Sequence, residues 1–418
     1  MPDFFGSRFS SNALKIGASI IIFIFLIPYT ASLYNGLSRL FQMAFNVPFE
    51  YCILAMGILT AIFVVAGGYV ASVVNNFIQG MIMLIGIVLI IAIVLKNNGG
   101  FIAALDGMAS VSGTGVRENV PGVFASFFGP RPLDLLGVVI LTSLGTWGLP
   151  QMVGRFYSIK NENMITKGAI VSTIFALFIA GGSYFLGSFG RLYESKLIEN
   201  RAINPNGAVA FDAIIPTILS GMGDVMIGFV IVLVFAASIS TLASLVMASA
   251  STLTLDFLKG NIVKKMNEKN QLAVIRILIV VFIAISSAIA IIQVNSRITF
   301  IAQLMGISWG ALAGSFLAPF LYGLYWKKVN KISVWCCFIF STCLMTLNVL
   351  STNFFPTLFP VILRSPIKAG AFAMLAGLVI VPVVSFITKA PDKTAVQNCF
   401  SCYDEVVSVK VSDALGNK

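Results

Sequence analysis

The sequence contains no histidine, and charged residues make up only 10% of its 418 positions, against 58% hydrophobic. Without histidine, Ser-His and Cys-His catalysis is excluded, together with the commonest side-chain metal ligand. A soluble globule carries about a quarter charged residues, so the solvent of this chain is mostly lipid. Carboxylates are scarce where they would matter most, because the 16 Asp and Glu residues fall in loops, in the tail or near the ends of apolar runs. A proton-driven carrier normally holds an ionisable group at mid-membrane depth despite its cost, and a membrane hydrolase needs comparable acid and base groups. Both classes lack their usual parts, and the chain is not expected to be an enzyme. The six cysteines do not replace them. Cys52, Cys336, Cys337 and Cys343 sit in apolar segments as packing residues, and a single Cys399-x-x-Cys402 is a weak metal or redox signal.

What is present is a series of long apolar runs. They predict spanning helices near 13–41, 50–67, 71–95, 133–157, 166–190, 224–253, 272–293, 299–325, 332–350 and 369–388. Each is continuous rather than alternating, which selects α-helices over barrel strands. The fold class expected is therefore an all-α membrane protein of about ten transmembrane helices. Residues 1–389 form one transmembrane domain, and 390–418 form a polar cytoplasmic tail. The net charge of +11 is distributed over short loops, as the positive-inside rule expects, and does not point to nucleic acid. That bias places Arg8, Lys15, Lys160, Lys167, Lys259, Lys327, Lys328 and Lys331 inside, giving a multi-pass protein of the cell membrane with both termini cytoplasmic. Two longer outer connections, near 96–132 and 191–223, have room for short helices or lids.

With carboxylates excluded from the membrane interior, neutral oxygens remain as cation ligands. They are dense in Phe235-Ala-Ala-Ser-Ile-Ser-Thr-Leu-Ala-Ser-Leu-Val-Met-Ala-Ser-Ala-Ser-Thr-Leu-Thr-Leu-Asp256. Ala237, Ser240 and Thr241 are three and four residues apart and share one helix face. One carbonyl and two hydroxyls there can offer three hard oxygens to a small monovalent cation, provided a facing broken helix supplies more. Spacing alone fits close packing as well, since small residues and hydroxyls crowd membrane helix interfaces.

This segment resembles the sodium-binding helix of the sodium:solute symporter family, with its Ala-x-x-Ser-(Ser/Thr) pattern and acidic end. Further stretches in family order extend the resemblance along the chain. Pro2-Asp-Phe-Phe-Gly-Ser-Arg-Phe9 is similar to the family's inner loop. Gly67-Gly-Tyr-Val-Ala-Ser-Val-Val-Asn-Asn-Phe-Ile-Gln79 is similar to its Gly-Gly-x-x-Ala-Val-x-x-Thr-Asp-x-x-Gln stretch. Gly145-Thr-Trp-Gly-Leu-Pro-Gln-Met-Val-Gly-Arg-Phe-Tyr157 resembles a Gly-x-x-Gly-x-Pro-His-x-x-x-Arg-Phe segment of the proline and acetate branches. Leu324-Tyr-Trp-Lys-Lys328 resembles the end of a late helix.

The resemblance implies a LeuT-like inverted-repeat fold and sodium-coupled symport of a small organic solute across the bilayer. Ala237, Ser240 and Thr241 would be the Na⁺ ligands. Thr142, Thr146 and Pro150 match positions where the proline branch meets its substrate, with Trp147 beside them as a gating or packing residue. The first three suit packing equally well, and Trp147 suits packing somewhat better than gating. That branch has aromatics at the first two positions, so threonines turn the expectation from proline toward a monocarboxylate or another amino acid. The family's inner loop normally follows three helices, which this chain, beginning at that loop, is expected to lack. Asn76 replaces a family aspartate tied to an additional sodium site, and Ala243 replaces a serine, which leaves one coupling Na⁺. Two other readings fit the sequence: a membrane sensor or regulatory subunit that does not transport, and a proton-coupled carrier.

Overall fold

The structure, a computed structural model, describes residues 1–111, 119–159, 162–193, 196, 211–220, 223–259, 261–263, 266–293, 301–355 and 360–403. Side chains of 66–75 lie outside that set, so most of the Gly67–Gln79 motif is seen only as backbone. The Cys402 side chain and the tail beyond Tyr403 also lie outside it.

Hydrocarbon offers no partner to backbone amides, so a spanning chain must close its hydrogen bonds within itself. The described residues accordingly form helices: α1 (Pro2–Arg8), α2 (Asn12–Phe45), α3 (Phe49–Asn97), α4 (Phe101–Ser110), α5 (Pro132–Gly148), α6 (Pro150–Val153), α7 (Glu162–Ala176) and α8 (Gly182–Ser188). There follow α9 (Ile214–Ser220), α10 (Asp224–Thr252), α11 (Glu268–Gln293), α12 (Ile301–Tyr325), α13 (Lys331–Phe354), α14 (Pro366–Ile387) and α15 (Lys393–Phe400). Among the described residues eight segments are long and apolar enough to cross a membrane, and Phe49–Val65 and Pro132–Gly148 are shorter apolar helices at two further expected spans.

Two expected boundaries differ. The spans expected at 50–67 and 71–95 are one continuous helix of 49 residues, about 70 Å long at 1.5 Å per residue. The Gly67-Gly68 pair breaks the apolar pattern but brings no proline. Helical glycine costs only about 1 kcal/mol, less than opening the backbone ladder in lipid. Conversely, the span expected at 133–157 is interrupted, because Leu149 leaves the helix at φ −85°, ψ 122°. Pro150 lacks an N–H and forces its predecessor toward extended backbone.

The central post is α12, with 83% of its spanning window buried, whereas the segment Asn163–Tyr193, which includes most of α7 and all of α8, has 6% and faces mostly outward. Glycines at four-residue spacing let a second helix approach α12 closely. A Cβ on Gly306 would meet the Ile367 amide at 3.0 Å, one on Gly310 the Gly370 Cα at 2.6 Å, and one on Gly314 the Ala373 Cβ at 2.9 Å. Thus α12 and α14 touch backbone to backbone, and α2, α5 and α13 pack around that pair.

One face of the molecule carries both ends of the described chain. Phe5 of α1 packs between Phe316 and Phe338, with ring centroids at 5.6 and 5.2 Å. Arg8 donates from Nε to the Gly323 carbonyl (2.9 Å) and from Nη2 to the Trp326 carbonyl (3.2 Å). The described part of the polar tail is folded onto this face: Phe400 of α15 stacks on Arg8 at 5.0 Å, and the Tyr403 hydroxyl donates to the Leu324 carbonyl at 2.9 Å. Lys15 bridges Asp3 to Asp256 (3.3 Å to the latter), tying α1 and α2 to the end of the α10 segment.

On the opposite face Asp212 caps α12, both carboxylate oxygens accepting from the Ile301 amide at 3.2 and 3.1 Å. Burial pushes its carboxyl up to about 6, while the Ile301 amide and the Arg39 charge pull it partly back. The folded value exceeds the unfolded one, so this group's contribution to stability is complete at pH below the unfolded value and is lost as pH rises through about 6. The wild type is expected to lose melting temperature in detergent as pH rises from 3.8 to about 6, and Asp212→Asn is expected to flatten that fall. At the α12–α14 contact, Gly310→Leu is expected to cost about 3 kcal/mol or more by overpacking, read as a lowered melting temperature. Gly228→Ala, where a Cβ meets nothing within 4 Å, should leave it unchanged.

Candidate functional site

The residues Ala237, Ser240 and Thr241 lie on one half-buried stripe of α10, continued one turn on by Ser244. The other faces of the same helix are packed away: Leu242, Ala243, Leu245 and Val246 are essentially inaccessible. The Ser240 and Thr241 hydroxyls both donate to the Ala237 carbonyl, at 2.9 and 3.1 Å. Ser244 donates to the Ser240 carbonyl at 3.2 Å. A hydroxyl whose proton is fixed on its own helix keeps its lone pairs for an outside partner. The stripe is therefore oxygen-rich and uncharged, suited to a hard monovalent cation rather than a transition metal. No cluster of three His, Cys, Asp or Glu residues occurs among the described residues.

Beyond Ser244 the stripe opens into a cavity of about 280 Å³, lined from α6 and its C-terminal turn by Pro150, Gln151 and Arg155, from α3 by Asn76 and from α10 by Ser244 and Ser251. Arg155 Nη2 donates to Ser244 Oγ at 2.8 Å. Both side-chain amide atoms of Gln151, and Asn76 Oδ1, are buried without a hydrogen-bond partner among the described residues. Buried polar groups are nearly always satisfied, so unpaired ones around a cavity mark a place where water or a ligand is received.

The expected substrate residues do not gather as the spacing suggested. Pro150 lines the cavity, but Thr142 and Thr146 belong to α5, on the other side of the Leu149 break, and share no continuous helix face with it. Their hydroxyls donate to the Val138 and Ser143 carbonyls at 2.8 and 3.1 Å. Trp147 is 61% exposed and neither caps nor lines the cavity. Ala243 faces away from the stripe, whereas Asn76 does reach the cavity. Gln151 and Arg155 were missed as site residues. The available signal was the Pro-Gln-Met-Val-Gly-Arg run, in which a glutamine occupies the position of the family's histidine.

The cavity lies toward the face that carries α1, since Met1 and Pro2 contribute to its wall. In a cysteine-free background, Ser251→Cys is expected to react with a membrane-impermeant maleimide applied from that face. Leu242→Cys, fully buried on the same helix, should stay unlabelled under the same conditions.

The sodium:solute symporter family model matches residues 1–339. A sodium/proline symporter of Staphylococcus aureus is 28% identical over 342 residues, covering 79% of this chain and 62% of that protein. The corresponding protein of Staphylococcus aureus strain Newman gives the same identity and coverage. The chain thus spans 62% of the length of these curated relatives. Among solved structures, a Na⁺-coupled sialic acid symporter in a substrate-bound outward-open state superposes with a TM-score of 0.66 at 16% identity. It covers 94% of this chain and 78% of that one, a likeness of fold. With the family pattern running through four-fifths of its length, the chain belongs to the sodium:solute symporter family.

Proposed function

We propose that this chain forms the translocation core of a Na⁺-coupled symporter for a small organic solute, a monocarboxylate or an amino acid. The observation that supports the reading most is the convergence of Ser240 and Thr241 on the Ala237 carbonyl beside a cavity walled by the broken α5–α6 segment. Family membership adds the coupling ion. In this reading the three oxygens take part of the Na⁺ hydration shell, and the Leu149 break frees backbone groups for solute near the same depth. The bound ion favours the solute-competent arrangement, a linkage typically worth about 1–3 kcal/mol. Alternating access follows from rocking of the α10 side against the glycine-locked α12–α14 pair. The reaction makes and breaks no covalent bond.

Arg155 places a fixed positive charge one helical turn beyond the oxygen stripe. A carboxylate on the solute is complementary to it, and this supports an anionic or zwitterionic substrate over a neutral one.

Uptake of a panel of short carboxylates and amino acids into proteoliposomes, with and without an inward Na⁺ gradient, tests the proposal. Gradient-driven uptake of one panel member is expected, with one Na⁺ carried per solute because Asn76 and Ala243 replace the residues of a second site. Ser240→Ala and Thr241→Ala should each raise the half-saturating Na⁺ concentration by about tenfold to a hundredfold, as loss of a hydrogen-bonding group to a charge costs about 1.5–3 kcal/mol. Uptake driven equally by a proton gradient, or insensitive to both substitutions in correctly inserted protein, would overturn the reading.

A further inference from the structure

A second cavity, of about 600 Å³, opens on the terminus-bearing face and belongs to no part of the proposed transport path. It lies between the α12–α13 turn, the end of α14 and helix α15, and is lined by Lys327, Lys328, Ser385, Phe386, Thr388 and Gln397. The turn that carries the two lysines is held firmly. Asn330 Nδ2 donates to Thr388 Oγ1 (2.6 Å) and to the Lys389 carbonyl (3.1 Å), and Ser385 Oγ donates to Ser333 Oγ (2.9 Å).

Among the described residues the charge around this cavity is mainly positive. Lys331 and Lys389 are exposed on the same turn and helix end. The nearby Asp392 is engaged as the N-cap of α15, accepting from the Thr394 amide at 3.0 Å. Neither Lys327 nor Lys328 has a carboxylate partner among the described residues. Their ammonium groups rest instead over Phe400 and Phe386, at 5.3 and 6.0 Å from the ring centroids. Desolvated on one side by an aromatic face, an ammonium pair without a counter-ion is a receptor for an anion.

The cavity also continues into an apolar track. Phe372, Leu375, Val379, Val383 and Phe386 are 42–69% exposed and follow one another at three- and four-residue spacing along a single face of α14. That stripe runs from the second turn of the spanning helix to the cavity rim at Phe386. A soluble anion would use the lysines and leave the stripe idle. A molecule with an anionic head and long acyl chains uses both.

We propose that this cavity is a binding site for the headgroup of an anionic phospholipid, its phosphate held by Lys327 and Lys328 and its chains lying along the exposed face of α14. The site roofs the lipid with α15, so an occupied headgroup fastens the C-terminal helix to the ends of α12 and α14. Sites of this kind, basic pockets between helix ends, recognise the negative headgroup through the same charges that orient the chain in the bilayer.

The test uses the full chain in nanodiscs of phosphatidylcholine with or without phosphatidylglycerol, with retained lipid counted by native mass spectrometry after stepwise delipidation. One phosphatidylglycerol per chain is expected to survive where phosphatidylcholine does not. Lys327→Gln with Lys328→Gln should lower its affinity by about thirtyfold, at the usual contribution per lysine near a membrane surface. Lys269→Gln, exposed at the start of α11, should not lower it. Val383→Ser with Phe386→Ser, which keeps both lysines, should also weaken retention and guards against a folding defect in the lysine variant. Equal retention by the double-lysine variant would overturn the proposal, and so would an equal loss with Lys269→Gln, which would mean a diffuse surface field. Displacement of the lipid by an equal concentration of inorganic phosphate would overturn it in favour of a soluble anion site.

Discussion

Everything in this molecule is governed by the absence of water around most of its backbone. A hydroxyl in hydrocarbon is stabilised by giving its proton to an acceptor, and on a helix the nearest is the carbonyl one turn back. Ser240 and Thr241 both obey this by donating to Ala237. The same geometry fixes two hydroxyl oxygens within a single turn, each with lone pairs left over, while the Ala237 carbonyl takes up both protons. It is this uncharged oxygen array that the proposed cation site would use. No charge had to be buried to make it, which fits a chain whose carboxylates stay out of the spans.

The second constraint is rigidity on one side and interruption on the other. Where α12 meets α14, glycines bring the two backbones into contact and leave no room for sliding without steric cost. Where α5 meets α6, Pro150 removes a donor and the helix opens at Leu149. Gln151 follows immediately, so its buried amide appears just past the break, with Arg155 one turn on donating to Ser244. A stiff pair flanked by an interrupted helix and an oxygen-lined helix is a workable plan for gating around a bound ion and solute.

Features set by local residue chemistry were legible in the sequence. The spans could be placed because apolar length is a local property, and the Ala237, Ser240 and Thr241 stripe because three- and four-residue spacing dictates a shared helix face. The continuity of α3 was not legible, since a Gly-Gly pair reads as a break and only the cost of opening a helix in lipid overrides it. The substrate set fared differently. Thr142, Thr146 and Pro150 look like one face at four-residue spacing, but that inference assumes an unbroken helix, and the Leu-Pro step ends it. The cavity that joins α3, α6 and α10 depends on contacts far apart in sequence, which periodicity cannot reveal. The packing of Phe400 and Tyr403 onto Arg8 and Leu324 was hidden for the same reason.

The central claim is that uncharged oxygens on α10 bind an alkali cation. Equilibrium binding of radiolabelled Na⁺ to the purified full chain in nanodiscs, compared with the Ser240→Ala, Thr241→Ala double variant, tests it most directly. The account predicts saturable binding of one ion per chain, displaced by Li⁺ more readily than by K⁺ and absent from the double variant. Saturable Na⁺ binding of equal affinity in both proteins, each folded with the same melting temperature, would contradict it.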